Sequence, residues 1–193
     1  MSQIARAPVV ILGSGLAGLT VALELADAHK VVVLSKRSLG ESATSWAQGG
    51  IVGVIDELDN IDSHVADTLD AGAGLVDEAV ARQMACHSSS AIEWLIDKGV
   101  LFTADPEGPK GLHLVREGGH SHKRIAHAAD ATGKAIHDAL LERAYAHPNI
   151  RLLENYIAVD LVQGKHLPAT DTSRRGVVQR SCYGVYALNL QTG

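Results

Sequence analysis

Val9-Val10-Ile11-Leu12-Gly13-Ser14-Gly15-Leu16-Ala17-Gly18 is the stretch on which the fold of this chain turns. Its four opening apolar residues, mostly β-branched, have the character of a buried strand. A Gly-x-Gly-x-x-Gly pattern follows at once, and Leu16 to Ala28 then carries a helical period. A second β-branched run, Val31-Val32-Val33-Leu34, comes next. Strand, glycine turn, helix and strand within about 30 residues predict a dinucleotide-binding βαβ unit. In such a unit Gly13 makes the tight turn, Gly15 admits a pyrophosphate close to the backbone, and Gly18 lets the helix pack on the strand. The amides that open the helix lack intrahelical partners and face the anion. Glycines also mark ordinary turns; the legible strand and helix on either side favour a dinucleotide site.

The composition narrows the classes around this unit. The chain has 193 residues, enough for one domain or a domain and a half. Hydrophobic residues make up 46% and charged residues 20%, an ordinary globular balance. A formal net charge of -5, with Lys and Arg scattered, argues against a nucleic-acid surface. Two distant cysteines, Cys86 and Cys182, form no disulfide framework and fit a reducing, cytoplasmic setting. Cys86 falls in a helical pattern and is expected to be a small buried residue. No apolar run reaches transmembrane length, and the N-terminus is too short and polar for a signal peptide.

Past the second strand stands Ser35-Lys36, where many dinucleotide folds carry an acid for a ribose hydroxyl. That departure weakens a generic NAD reading, although a serine and a lysine can still bond ribose or phosphate oxygens. Ser42 to Gly50 combines small hydroxylated residues with a Gly pair, which suits either backbone against a ligand or a capped turn. Ile51 to Ile55 is predicted as a strand and Asp56 to Asp62 as a solvated acidic loop, since its spacing is not that of a calcium loop. Residues 63–98 are mostly helical, with Val65, Leu69 and Ala73 on one face. Asp77 caps one helix, continuing through Val80, Met84 and Ala85. Ser90 and Glu93 have the spacing of a capping box for a second, Ala91 to Lys98, ended by Gly99.

Val100 to Thr103 and Gly111 to Val115 are expected as two strands joined by the turn Asp105-Pro106-Glu107-Gly108. Residues 126–134 run Ala-His-Ala-Ala-Asp-Ala-Thr-Gly-Lys and lead into a helix whose apolar face and stem contacts are Ala135, Ile136, Ala139, Leu140, Arg143 and Ala144, and Pro148 stops it. Ile150 to Leu153 is predicted to rejoin a parallel sheet. Tyr156 to Val162 and Tyr183 to Leu190 are further strands, separated by a polar loop over Lys165 to Gly176. The last strand has no evident hairpin partner, so the chain is expected to be a fragment cut inside a β-hairpin, with a sticky open edge.

Arg116-Glu117-Gly118-Gly119-His120-Ser121-His122-Lys123-Arg124 is dense in ionisable groups. Composition favours a solvated loop. A catalytic loop offering a carboxylate and imidazoles is a second reading. Zinc held by His120, His122 and His127 is a third, weakened by the lack of a nearby cysteine or an H-E-x-x-H pattern.

Gly13-Ser14-Gly15-Leu16-Ala17-Gly18-Leu19, Leu34-Ser35-Lys36, Trp46-Ala47-Gln48-Gly49-Gly50 and the run His127 to Gly133 resemble the fumarate reductase and succinate dehydrogenase flavoprotein family. The run Arg116 to His122, with Asp62 to Leu69 and the Ala-Gly-Ala-Gly at 71–74, narrows the resemblance to its L-aspartate oxidase branch. The resemblance covers essentially the whole chain, with its motifs in order. It implies an α/β fold: a Rossmann-like FAD-binding domain with a parallel sheet, flanking helices and an antiparallel β excursion, here truncated. Residues 1–193 would be the N-terminal part of that domain, without the capping and C-terminal helical domains.

The same resemblance implies FAD as cofactor. Gly13, Ser14, Gly15, Leu16, Ala17, Gly18, Ser35 and Lys36 would hold its adenosine diphosphate half. Ala43, Thr44, Ser45, Trp46, Ala47, Gln48, Gly49 and Gly50 would run along the pyrophosphate and flavin, and Ile157 and Ala158 would touch the adenine side. Ala43 falls where succinate dehydrogenases attach flavin through a histidine, so the FAD is expected to be non-covalent. The implied activity is an oxidoreductase that converts L-aspartate to iminoaspartate by hydride transfer to the flavin. Oxygen or fumarate would be the acceptor, and the product would pass to quinolinate synthase on the route to NAD. Glu117 matches the catalytic-site carboxylate that pairs with the substrate ammonium group, a contact succinate cannot make. His120 and His122 are weaker candidates. Because the family's arginines that clamp the substrate carboxylates lie beyond residue 193, the isolated chain is expected to be inactive. A succinate- or fumarate-directed flavoenzyme and a non-catalytic FAD-binding module are the alternatives.

Overall fold

The computed structural model describes residues 9–164 and 181–193. In chain order its elements are β1 (Val9–Leu12), α1 (Leu16–Leu25), β2 (Val31–Ser35), β3 (Ile51–Val52), α2 (Ile61–Ala71), α3 (Glu78–Asp97), β4 (Leu114–Val115), β5 (Ile125–Ala126), α4 (Thr132–Ala146), β6 (Ile150–Glu154), β7 (Tyr156–Gln163) and β8 (Cys182–Asn189). The chain divides into two units, one holding the residues up to Ser42 and from Leu141 onward, the other Ala43–Leu140.

The first unit is built on a parallel sheet in the order β1-β2-β6. Val9 stands beside Val31, and Val31 beside Ile150. β2 is the central strand, and all five of its residues are buried. That is why Val31 to Leu34 is a continuous apolar run: a parallel strand covered on both faces has no solvent side to alternate toward. Ala22 and Ala26 meet Val31 and Val33 in a core joined by Val9, Ile11, Leu25, Ile150 and Leu152. The strand predicted over Ile150 to Leu153 therefore does return to the parallel sheet. Its entry is fixed by Asn149, whose carbonyl accepts from the Val31 amide at 2.8 Å while its side-chain amide donates to the Ala26 carbonyl at 2.9 Å.

β7 and β8 form an antiparallel ribbon, with Ile157 opposite Leu188 and Ala158 opposite Ala187. The last strand thus finds its partner in β7, which corrects the expectation of a missing one. Register shifts fall between Ala158 and Asp160 and between Val162 and Gln163, the second beside Gly184, where a glycine suits a bulge. The polar loop over Lys165 to Gly176 lies outside the described residues.

The second unit carries an antiparallel sheet in the order β3-β5-β4 and the helices α2 and α3. Its core gathers Ile92, Leu112, Leu114 and Ala126, with Ile51, Ile55 and Phe102 against them. Several sequence expectations change here. The strand predicted to Ile55 pairs only over Ile51–Val52. The stretch Val100 to Thr103 lies outside the named strands; the Thr103 amide donates to the His127 carbonyl at 2.7 Å and the Thr103 carbonyl accepts from the His113 amide at 2.9 Å. The helix expected to start at Ser90 is instead the continuation of α3, which runs unbroken from Glu78 to Asp97. Ser90 donates back to the His87 carbonyl, and Glu93 pairs with Lys110, so neither side chain caps anything. Asp77 does cap α3, accepting from the Val80 amide at 3.1 Å. The buried face of α3 is Ala85, Ile92 and Leu95. Cys86 lies one residue, about 100° around the helix, from Ala85 and is exposed, against expectation. α2 ends at Ala71, leaving Ala73 in the following turn at φ +47°.

Candidate functional site

In the first unit the glycine turn sits at the carboxyl end of β1, where open α/β sheets bind their ligands. Gly13 has φ +107°, a conformation that favours glycine, and its amide donates to the Leu34 carbonyl at 2.8 Å. A Cβ built on Gly18 would lie 2.0 Å from the Gly13 carbonyl oxygen, so α1 can approach the turn only with glycine there. Gly15 is the N-cap of α1, with no side-chain cap and no acidic residue in the first turn. The helix start is therefore free of carboxylates that would repel a phosphate, and a Cβ on Gly13 would meet nothing within 4 Å. These features fit the pyrophosphate of FAD.

Ser14 and Ser35 are both buried, and the Ser14 hydroxyl donates to the Ser35 hydroxyl at 3.2 Å. Lys36, just beyond β2, is exposed. On the ribbon, Ile157 and Ala158 are exposed.

In the second unit Thr44–Trp46 forms a single 3-10 turn, with the Ala47 amide donating to the Thr44 carbonyl at 3.1 Å. Trp46 is 79% exposed. The two glycines that follow differ. Gly49 is open on its Cβ side, whereas a Cβ on Gly50 would meet Ile125 at 2.2 Å and the Ala126 carbonyl at 2.5 Å. Close packing on β5 thus explains Gly50. Gly133 is likewise seated against the 44–47 turn, donating to the Ala47 carbonyl at 3.0 Å.

The Arg116–Arg124 stretch connects β4 to β5, which pair antiparallel with Val115 opposite Ile125. Glu117 is exposed on it. The His120 amide donates to the Glu117 carbonyl at 3.3 Å, closing a turn whose third position, Gly119, has φ +82°. The three histidines considered for zinc are not brought together. His122 faces Asp59 at 3.4 Å, His120 packs beside His64, and His127 shares a 2.8 Å contact with His113.

Under this loop lies a network that the sequence did not announce. Arg124 is wholly buried. Its Nε and Nη2 donate to the two carboxylate oxygens of Asp59, both at 2.8 Å, and its Nη1 donates to Asp67 at 2.6 Å. Asp59, predicted to be part of a solvated loop, is itself buried. The correction has a plain cause: a buried guanidinium needs carboxylate partners, and the fork geometry of arginine takes them two oxygens at a time. Asp67 also accepts from the Ser121 amide at 2.7 Å and the Ser121 hydroxyl at 2.8 Å. Burial tends to raise the Asp67 carboxyl, but the bonds from Ser121 and Arg124 outweigh it and hold it at about 2. Asp59 is raised by burial and, more strongly in sum, lowered by the bonds from Arg124 and the Asn60 amide and by nearby positive charge; it ends below its ordinary value. His64 is lowered by burial and then by the Arg124 charge.

Ser63, Ser121 and Asp59 all meet His122 at the same ring atom, Nδ1, at 3.2, 2.9 and 3.4 Å. The ring therefore does not bridge a hydroxyl and a carboxylate as a hydrolase triad requires. A cleft of about 470 Å³ beside the network is lined by Asp56, Leu58, Asp59, Arg116, Ser121, His122 and Lys123. The one prior hint of this network was an arginine set directly before the apolar pair Ile125-Ala126.

The glycine turn at the end of a parallel strand places the protein among flavin- and dinucleotide-binding α/β folds. The FAD binding domain family matches residues 8–193, and the chain belongs to that family. L-aspartate oxidase 1 of Ralstonia nicotianae is 54% identical over 96% of this chain and 33% of its own length. L-aspartate oxidase of Pseudomonas aeruginosa is 47% identical over 100% of this chain and 35% of its own. The chain thus spans about a third of the length of the curated relatives it matches. Among solved structures, E. coli quinol fumarate reductase is similar with a TM-score of 0.82 and 25% identity over 97% of this chain and 30% of its own. FAD is the cofactor these likenesses indicate. No helix among the described residues is long and apolar enough to cross a membrane.

Proposed function

We propose that this chain is the FAD-holding part of an L-aspartate oxidase. The observation that carries the reading is the glycine turn, in which Gly13 needs a positive φ and Gly18 admits no Cβ, joined to 54% identity with an enzyme of that name. In this reading the amides at the start of α1 take the pyrophosphate, Ser14, Ser35 and Lys36 face the adenosine half, and Ile157 and Ala158 lie on the adenine side. Ala43 to Gly50 run along the flavin, with no nucleophile at Ala43, so the FAD is non-covalent. When bound, FAD supplies the hydride acceptor for oxidation of the substrate Cα–H.

Glu117 binds the α-ammonium group of L-aspartate by a charge-assisted hydrogen bond, which orients the amino acid and discriminates against dicarboxylates without that group. The product is iminoaspartate. Oxygen or fumarate takes the electrons, and quinolinate synthase, in the same cytoplasm, takes the product. In the complete protein a capping domain would supply the groups that clamp the substrate carboxylates.

The test is the visible spectrum of the purified chain, repeated on the supernatant after denaturation. A flavin spectrum that moves into the supernatant is the expected result. A folded but colourless chain would show that this part alone does not hold FAD, and flavin that stays with the precipitate would overturn the non-covalent assignment. Reduction of that flavin by aspartate but not succinate in the complete protein is the expected substrate result.

A further inference from the structure

The network around Arg124 includes none of the residues proposed to hold FAD, yet it places a wholly buried guanidinium beneath an exposed loop. Burying a charged group is unfavourable unless it is paired, and here two carboxylates are committed to it. Their geometry leads outward to the loop. The Arg124 amide donates to the Val115 carbonyl at 3.2 Å, which pins the base of the loop. The Asp67 carboxylate, held by Arg124, accepts from both the amide and the hydroxyl of Ser121, which pins the far side of the loop to α2. Arg124 itself reaches the Ser121 hydroxyl at 3.4 Å. Between these two anchors lies the Glu117–His120 turn.

We propose that Arg124, acting through Asp67 and Ser121, is the positioning residue of the Glu117 loop, and that this pinning gives the enzyme its preference for an amino dicarboxylate. The inference rests on the reading of Glu117 as the ammonium-binding group and extends it: an exposed carboxylate on a glycine-rich loop selects a substrate only if the loop holds one place. An unpinned loop would have to be ordered by each substrate as it binds, at a cost in affinity.

The test uses Ser121→Ala and Asp67→Asn in the FAD-loaded complete protein, which leave the two-oxygen fork between Arg124 and Asp59 in place. Either substitution is expected to raise KM for aspartate about tenfold, the size of one lost charge-assisted contact. The inhibition constant of succinate, which has no ammonium group, should stay within about twofold. Adding Glu117→Gln to either variant should raise KM no further than Glu117→Gln alone, because the pinning contacts act on aspartate binding only through the placement of Glu117.

Multiplicative losses in the double variants, or equal losses for aspartate and succinate, would overturn the positioning role and leave the reading of Glu117 intact. A Glu117→Gln variant with unchanged KM would overturn both. Faster amide exchange at Gly118 to Ser121 in Asp67→Asn, with exchange in α3 unchanged, is the accompanying structural result expected.

Discussion

Gly18 is the residue at which sequence pattern and packing meet most directly. Its hydrogen points at the Gly13 carbonyl from a position where a methyl group would sit 2.0 Å away. The obstacle is backbone, which cannot rotate aside as a flexible side chain could. Gly18→Ala is therefore expected to cost about 1–3 kcal/mol of stability, the range for overpacking. It should also lower the flavin bound per mole of protein, because the turn proposed to meet the pyrophosphate must shift. Urea denaturation and the ratio of flavin to protein absorbance check both parts. Asp59 and Arg124 teach the opposite lesson. Both are charged and both are buried, and neither position could be told from a solvated one by residue type alone.

At the scale of elements, α3 shows how a local pattern can mislead. Ser90 and Glu93 have capping-box spacing, but the helix already begins at Glu78 and its backbone amides near Ser90 are bonded within it. The true cap is Asp77, which accepts from Val80. Asp77→Ala is expected to destabilise the protein by about 1 kcal/mol, the usual worth of an N-cap. Ser90→Ala should change stability by less than about 0.5 kcal/mol, as for an ordinary surface site. Paired thermal or denaturant unfolding curves decide between the two assignments. Loss of stability in Ser90→Ala equal to that in Asp77→Ala would restore the two-helix reading.

For the whole molecule, the buried charge network predicts how stability depends on pH. Asp67 is held at about 2, against 3.8 for a free aspartate, and Asp59 is also lowered. Groups with depressed carboxyl values stabilise the fold fully above the unfolded value and lose that contribution as pH falls through the folded one. His64 is depressed from 6.5 by burial and by the Arg124 charge. The unfolded chain therefore takes up its proton first, which also erodes stability on the acid side. Stability should accordingly begin to decline below pH about 6.5 and fall further between about 4 and 2. Denaturation midpoints from pH 8 to pH 3 measure this. In Asp67→Asn the decline below pH 4 should be shallower, and an unchanged slope would show that Asp67 is not part of it.

The first βαβ unit was legible in the sequence because its determinants are local. A tight turn needs glycine at Gly13, a close helix needs glycine at Gly18, and a strand covered on both faces needs Val31 to Leu34. The helix α4, with Ile136, Leu140 and Ala144 buried, was legible for the same reason: one face repeats at the helical period. The resemblance of several ordered motifs then pointed to FAD, in agreement with the family to which the chain belongs. What only the tertiary structure decided involves partners far apart in sequence. β8 pairs with β7 across the residues between them, Gly50 is shaped by β5, and Cys86 is turned outward by the choice of which face α3 buries. Arg124 joins Asp59 and Asp67 from another element altogether. A charged residue is written the same way whether it faces water or a carboxylate, and burial, which decides its energy and its role, is fixed only when the chain has brought its partners together.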